Sequence, residues 1–247
     1  CPDINMLYFG DTLHLPYGNR PFDAIYEFSK RAIDFMFSQG CTIIIVACNT
    51  VSAGALRKLQ QEYLPQSKFS NRRILGVVVP TLECAIDRGY KNLALIATNY
   101  TIKSDVFKVE LQKLDPEISI LQKETPLLVA MIENDGGAWL PSVIEHYLGG
   151  FRNMGIEALI LGCTHYPILK AEIENCLGDT VDILSQDEII PAKLYDYLNR
   201  HPELDTQILR GGVLQFFVSD ITDGYVKAAV DIYGDSIQIE KVVFCHR

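Results

Sequence analysis

Residues 42–47 read Thr-Ile-Ile-Ile-Val-Ala and residues 158–161 read Ala-Leu-Ile-Leu. Both are short, continuous apolar runs, without the alternation of a strand that is wet on one face. A strand apolar on both faces must be covered on both faces, which is the condition of a parallel sheet held between helices. Similar runs recur at 4–9, 74–79, 93–97, 118–121, 181–184 and 214–218. Helical patterning fills the gaps. Behind Pro21, the apolar residues Ile25, Phe28, Ala32, Phe35 and Met36 recur at spacings of three and four, and Gly40 stops the segment. Residues 51–63 and 226–233 read as further helices. Strand then helix, repeated, predicts an α/β fold of mostly parallel sheets covered by helices.

Composition narrows the function classes. Of 247 residues, 48% are apolar, enough for a real core and far too many for a disordered chain. With 22 Lys+Arg against 31 Asp+Glu, the net charge of −9 argues against nucleic acid or an anionic membrane as partner. No run approaches the roughly 18 apolar residues of a membrane span. Cysteines stand at 1, 41, 48, 84, 163, 176 and 245, an odd set without a Cys-x-x-Cys pair. They read as reduced thiols in a cytoplasm, and no export signal is expected.

The chain also carries a coarse internal repeat. Thr42-Ile-Ile-Ile-Val-Ala-Cys48-Asn49-Thr50 is matched by Glu157-Ala-Leu-Ile-Leu-Gly-Cys163-Thr164-His165. In each, an apolar strand ends in a small residue, then Cys, then polar groups, then a helix. The copies lie about one small domain apart, so two similar lobes would face both thiols into one cleft. The carboxyl ends of parallel strands are where ligands bind, because helix N-termini aim backbone N–H groups there. Such a place is expected to lower a thiol pKa and supply a base or nucleophile. Asn49, Thr50 and Thr164 add donors able to hold a carboxylate, and His165 stands close enough in sequence to exchange a proton with Cys163.

Blander readings apply elsewhere. Cys41, Cys84, Cys176 and Cys245 read as small buried hydrophobes. His14, His146, His201 and His246 lack a surrounding Cys or acidic constellation and read as surface or structural groups. Cys163-x-His165 resembles half of a metal site, but no second pair completes it, so no metal is expected.

The motifs Ala47-Cys48-Asn49-Thr50 and Gly162-Cys163-Thr164-His165-Tyr166-Pro167 resemble the two signatures of the aspartate/glutamate racemase superfamily. Tyr8-Phe9-Gly10-Asp11 with Pro16-Tyr17-Gly18 resembles its substrate loop. The likeness continues through Gly76-Val77-Val78-Val79-Pro80, Ala97-Thr98-Asn99-Tyr100-Thr101, residues 126–133 and Phe217-Val218-Ser219-Asp220, so it spans essentially the whole chain. It implies racemisation of glutamate without a cofactor, for peptidoglycan, by a cytoplasmic homodimer. Cys48 would take the α-proton from the D-isomer and Cys163 from the L-isomer, with His165 assisting. Pro16, Tyr17, Gly18, Asn49, Thr50, Thr98, Thr101 and Thr164 would bind substrate, and Asp11 and Glu133 would support the site. Lobe one would comprise residues 1–80 and 186–247, and lobe two residues 81–185.

The resemblance also implies a strand ending in Phe-Asp-Ser-Gly and a helix, on the order of 25 residues, ahead of Cys1. Its Asp would partner the first cysteine, and we expect the full protein to contain it. Asn99 and Tyr100 stand where smaller residues are usual, and Ser185-Gln186-Asp187 replaces a small-residue run. Competing readings are an aspartate or hydantoin racemase, a thiol hydrolase using Cys163 and His165, and a catalytically silent amino-acid-binding protein.

Overall fold

All strand pairings in the sheets run parallel, as the doubly apolar runs require. The computed structural model describes residues 3–134, 136–234 and 237–244. Its strands are β1 (Met6–Gly10), β2 (Ile43–Val46), β3 (Arg73–Gly76), β4 (Asn92–Ala97), β5 (Ser119–Glu124), β6 (Ala158–Gly162), β7 (Asp182–Leu184), β8 (Leu214–Val218) and β9 (Ile239–Lys241). They assemble in the orders β1-β8-β9, β2-β3 and β5-β4-β6-β7. Helix Phe22–Ser38 packs on both of the first two groups, through Phe35 on Phe9 and Phe217 and through Ile33 and Phe37 beside Ile44 and Ile74. These groups are called the first lobe; the four-stranded sheet, with cores of its own, is called the second. The chain passes between them after β3 and again after β7.

The four-stranded sheet shows why its strands are apolar throughout. Ala94 and Ile96 of β4, with Leu159 and Leu161 of β6, pack into the core on one face. Leu93, Leu95 and Ala97, with Ala158 and Ile160, pack into the core on the other. Side chains alternate between faces, and here both faces are dry. In the first lobe, helix Phe22–Ser38 buries Ile25, Ile33 and Phe37 against Ile44 and Ile74. That helix ends at Gly40, whose φ of 96° is readily available only to glycine.

Some segments depart from the sequence expectation. The run 74–79 is a strand only to Gly76, and a helix occupies Val78–Asp87. Val78 turns away to pack with Leu82 and Ala85 on the second lobe's core. The Thr81 hydroxyl donates to the Val77 carbonyl at 2.6 Å, and Pro80 falls in the first turn, where its missing N–H is harmless. Residues 51–63 are a broken helix, with segments Asn49–Gly54 and Leu56–Lys58 followed by a wider turn over Leu59–Tyr63. Gly54 weakens the helix there, and a Cβ on it would lie 2.7 Å from the Tyr100 hydroxyl. The last helix, Asp223–Tyr233, starts before 226, because Thr222 caps it by accepting from the Tyr225 N–H at 3.2 Å. β9, short and largely exposed, has no apolar run to announce it.

Cys41, Cys84 and Cys176 are free thiols packed against the cores. Cys245 and His246 lie outside the described residues. Among the described residues no helix is long and apolar enough to cross a membrane.

Gly162 ends β6 directly before Cys163, and a Cβ there would stand 2.7 Å from Leu95 Cδ1 and 2.9 Å from the Ile96 carbonyl. Gly162→Ala is expected to cost about 1–3 kcal/mol in urea unfolding. Gly150→Ala, where the added atom meets nothing within 4 Å, is the control. Equal stability of the two variants would contradict this packing.

Candidate active site

β2 and β6 each lead into a cysteine. Cys48 follows β2 and precedes helix Asn49–Gly54, and Cys163 follows β6 with 8% exposure. Both thiols were expected to have lowered pKa values. Instead burial raises both, that of Cys163 to about 12. The N–H groups of Thr50 and Val51, with the Thr50 hydroxyl, pull Cys48 back down. Those of Thr164 and His165 do the same for Cys163. Desolvation outweighs these donors, because leaving water costs a thiolate more than a few dipoles return. A negative charge on Cys48 raises Cys163 further, so the two sulfurs lie within electrostatic reach of each other.

On the Cys163 side a relay runs outward. The sulfur lies 3.8 Å from His165 Nδ1, and His165 Nε2 lies 3.0 Å from Glu133 Oε1. The loop carrying them is tied from below, since the fully buried Tyr166 exchanges a 2.7 Å hydrogen bond with the Thr125 hydroxyl. Glu133 closes helix Pro126–Glu133, half-exposed beside the histidine. Thr164 is exposed next to the thiol.

A row of hydroxyls joins the lobes. Thr50 Oγ1 lies 3.0 Å from Thr98 Oγ1, which lies 3.1 Å from Thr101 Oγ1. Thr98 also caps helix Asn99–Lys103 by accepting from the Thr101 N–H. A Cβ on Gly18 would be 2.7 Å from Thr98 Cβ, so only glycine lets the 16–18 turn lie against this row.

Asp11 anchors that turn. Its carboxylate accepts from the Tyr17 hydroxyl, from Ser219 Oγ at 2.6 Å, and from His14 Nδ1 at 2.7 Å. His14 therefore has the acidic neighbour that the sequence reading denied it. Its ring stacks on Phe28 at 3.8 Å, so its role is structural. His201 likewise meets a carboxylate, Glu203, at 3.1 Å. Burial and Asp11 hold the Tyr17 hydroxyl protonated, and a charge on Cys48 acts on it in the same sense. Pro16 is exposed at the start of the turn.

Asn49, 2% exposed, forms a reciprocal amide pair with Gln186. Sequence reasoning did not place Gln186, Thr81, Thr125 or Ser219 here. Only the unusual run at 185–187 and the motif Phe217-Val218-Ser219-Asp220 pointed near two of them. Among the described residues no group of three or more His, Cys, Asp and Glu side chains is placed to hold a metal ion. A surface recess of about 410 Å³, lined by Glu157, Glu174, Asp179 and Asp182, opens at the amino ends of β6 and β7, away from the thiols. The structure thus brings a thiol, an imidazole and a carboxylate into line on one side. It sets a second thiol within electrostatic reach, with hydroxyls and amides between the lobes.

The Asp/Glu/hydantoin racemase family description matches residues 24–186. A glutamate racemase of Dinoroseobacter shibae is 33% identical over 216 residues, which are 82% of this chain and 78% of that protein. The crystal structure of a glutamate racemase isoform from Bacillus anthracis superposes with a TM-score of 0.86 at 26% identity, covering 98% of this chain and 88% of the other. The glutamate racemase of Francisella tularensis, in complex with D-glutamate, gives 0.84 at 28% identity, covering 98% and 89%.

A raised thiol pKa has a defined linkage. The neutral thiol of Cys163 stabilises the fold fully below its ordinary value of 9.0, and this contribution is lost as pH rises through about 12. At pH 8 both Cys48 and Cys163 are expected to react with iodoacetamide more slowly than the same cysteines in the urea-unfolded chain. Peptide mass spectrometry reads this directly, and faster labelling in the folded protein would overturn the burial argument.

Proposed function

The chain belongs to the Asp/Glu/hydantoin racemase family, and from that premise we infer that it interconverts L- and D-glutamate by proton exchange at two thiols. The observation that carries this reading is the placement of Cys48 and Cys163. Each stands at the carboxyl end of a strand in its own lobe, within electrostatic reach of the other. Inverting an α-carbon requires a base on one face and an acid on the other, and a thiol from each lobe can supply the two.

For L-glutamate, Cys163 is the base. At rest its thiol is neutral, so its proton passes first to His165, whose imidazolium is held by Glu133. The Cys163 thiolate then removes the α-proton, and the Cys48 thiol delivers its own proton to the opposite face. One C–H bond breaks and one forms. The enzyme is left with Cys163 as thiol, Cys48 as thiolate and His165 still carrying the proton that Cys163 first gave up, ready for the D-isomer in reverse. Thr50 and the backbone N–H groups of Thr50 and Val51 stabilise the Cys48 thiolate, while Asp11 pins Tyr17 beside it. Asn49, Thr50, Thr98, Thr101 and Thr164 hold the substrate amino and carboxylate groups, with Pro16, Tyr17 and Gly18 as the wall. No cofactor takes part in these steps.

The lobe boundaries fall near residues 80 and 185, each beside a passage of the chain between sheets. The working site is that of a homodimer in the cytoplasm, where a reducing environment keeps both thiols free. Its product supplies peptidoglycan synthesis.

In deuterated buffer the protein is expected to exchange the α-proton of L- and D-glutamate, but not of aspartate. Cys48→Ala and Cys163→Ala should each lower racemisation by at least about a hundredfold. Glu133→Gln should lower kcat from L-glutamate by about tenfold or more. Undiminished racemisation by Cys48→Ala would leave one thiol sufficient and refute the two-base mechanism.

A further inference from the structure

Asn49 follows a catalytic cysteine directly and is held by a group that the reaction scheme does not use. Gln186 opens helix Gln186–Arg200, where the chain returns from the second lobe, and is 8% exposed. Asn49 Nδ2 donates to Gln186 Oε1 at 2.8 Å, and Gln186 Nε2 donates to Asn49 Oδ1 at 3.0 Å. The second Nε2 proton reaches Thr81 Oγ1 at 3.2 Å. Thr81 is fully buried, and its own proton is committed to the Val77 carbonyl at 2.6 Å.

These bonds fix a direction. Because the Thr81 oxygen has already donated, it can only accept from Gln186, so Nε2 must face it. Oε1 is then left to face Asn49, which must answer with Nδ2. Turning either amide over would set donor against donor and acceptor against acceptor in a buried place. Each of the atoms Nδ2 and Oδ1 of Asn49 spends one of its bonds on Gln186. One proton on Nδ2 and one lone pair on Oδ1 remain, in an orientation set from Val77 through Thr81 and Gln186.

We propose that Gln186 is a positioning residue for racemisation, fixing the polarity of the Asn49 amide that meets the substrate beside Cys48. The inference rests on the reading of Asn49 as a glutamate-binding group. It also gives a purpose to the run Ser185-Gln186-Asp187, where the family resemblance calls for small residues. A small side chain has no amide with which to hold Asn49. The clamp ties the two passages of the chain between lobes, at Thr81 and Gln186, to the first helix residue behind Cys48.

The test uses the full chain and steady-state racemisation in both directions, with melting temperature measured alongside. Gln186→Ala and Gln186→Glu are each expected to raise KM for L- and D-glutamate about tenfold, with kcat changing less. The Glu variant keeps size and shape and can accept from Asn49 Nδ2, but it cannot donate to Asn49 Oδ1 or to Thr81. It therefore serves even if the Ala variant does not fold. In an Asn49→Ala background, Gln186→Ala should add less than about twofold, because its effect passes through Asn49. A lowered melting temperature with unchanged KM would overturn the proposal, as would effects that multiply in the double variant. If the unmodified protein racemises glutamate and Asn49→Ala raises KM while the Gln186 variants do not, the proposal alone fails. If Asn49→Ala leaves KM unchanged, the reading of Asn49 fails with it.

Discussion

The parallel direction of the strands is the constraint from which the rest follows. Parallel pairing requires a crossover between neighbours, and the crossovers bury both sheet faces under helices. It also sends the carboxyl ends of a sheet's strands to one edge. In each lobe that edge carries a cysteine followed by backbone N–H groups, Thr50 and Val51 in one lobe and Thr164 and His165 in the other. An antiparallel sheet of the same residues would scatter strand ends over two edges and leave no such pairing of thiols.

The two halves of the site solve the same problem differently. Burial makes both thiols reluctant acids, which keeps them unreactive without substrate. Cys163 is equipped with a side-chain relay through His165 to Glu133. Cys48 has a hydroxyl and an amide network instead, with Tyr17 held by Asp11 nearby. The hydroxyls of Thr50, Thr98 and Thr101 connect the halves in one row.

Much of this was legible in the chain. The runs that became β4 and β6 are apolar because both of their faces are dry, and this marks a strand without reference to partners. The Cys48 and Cys163 contexts were readable because the same local grammar occurs twice. What failed depended on distant contacts. Nothing local says that Val78 leaves its strand to cover the other lobe's core, or that Tyr100 comes up against Gly54. The thiol pKa values went the wrong way because a helix start is visible in sequence, whereas the depth of burial is not. His14 is structural as read, but its acidic neighbour was missed for a simpler reason. Its partner Asp11 is only three residues away, and the turn that brings them together left no periodic pattern.

The groups proposed above to hold the substrate, Asn49, Thr50, Thr98, Thr101 and Thr164, are amides and hydroxyls without formal charge, in a chain whose net charge is −9. Glutamate carries a net negative charge at neutral pH, so it approaches against a weakly repulsive far field and is held only once neutral dipoles touch it. Capture of this kind has no long-range steering to lose. Where a site built on arginine loses association rate as ions screen it, ionic strength here removes an obstacle. On that reading encounter becomes a matter of diffusion, and salt-rich surroundings leave this site's supply of substrate undiminished.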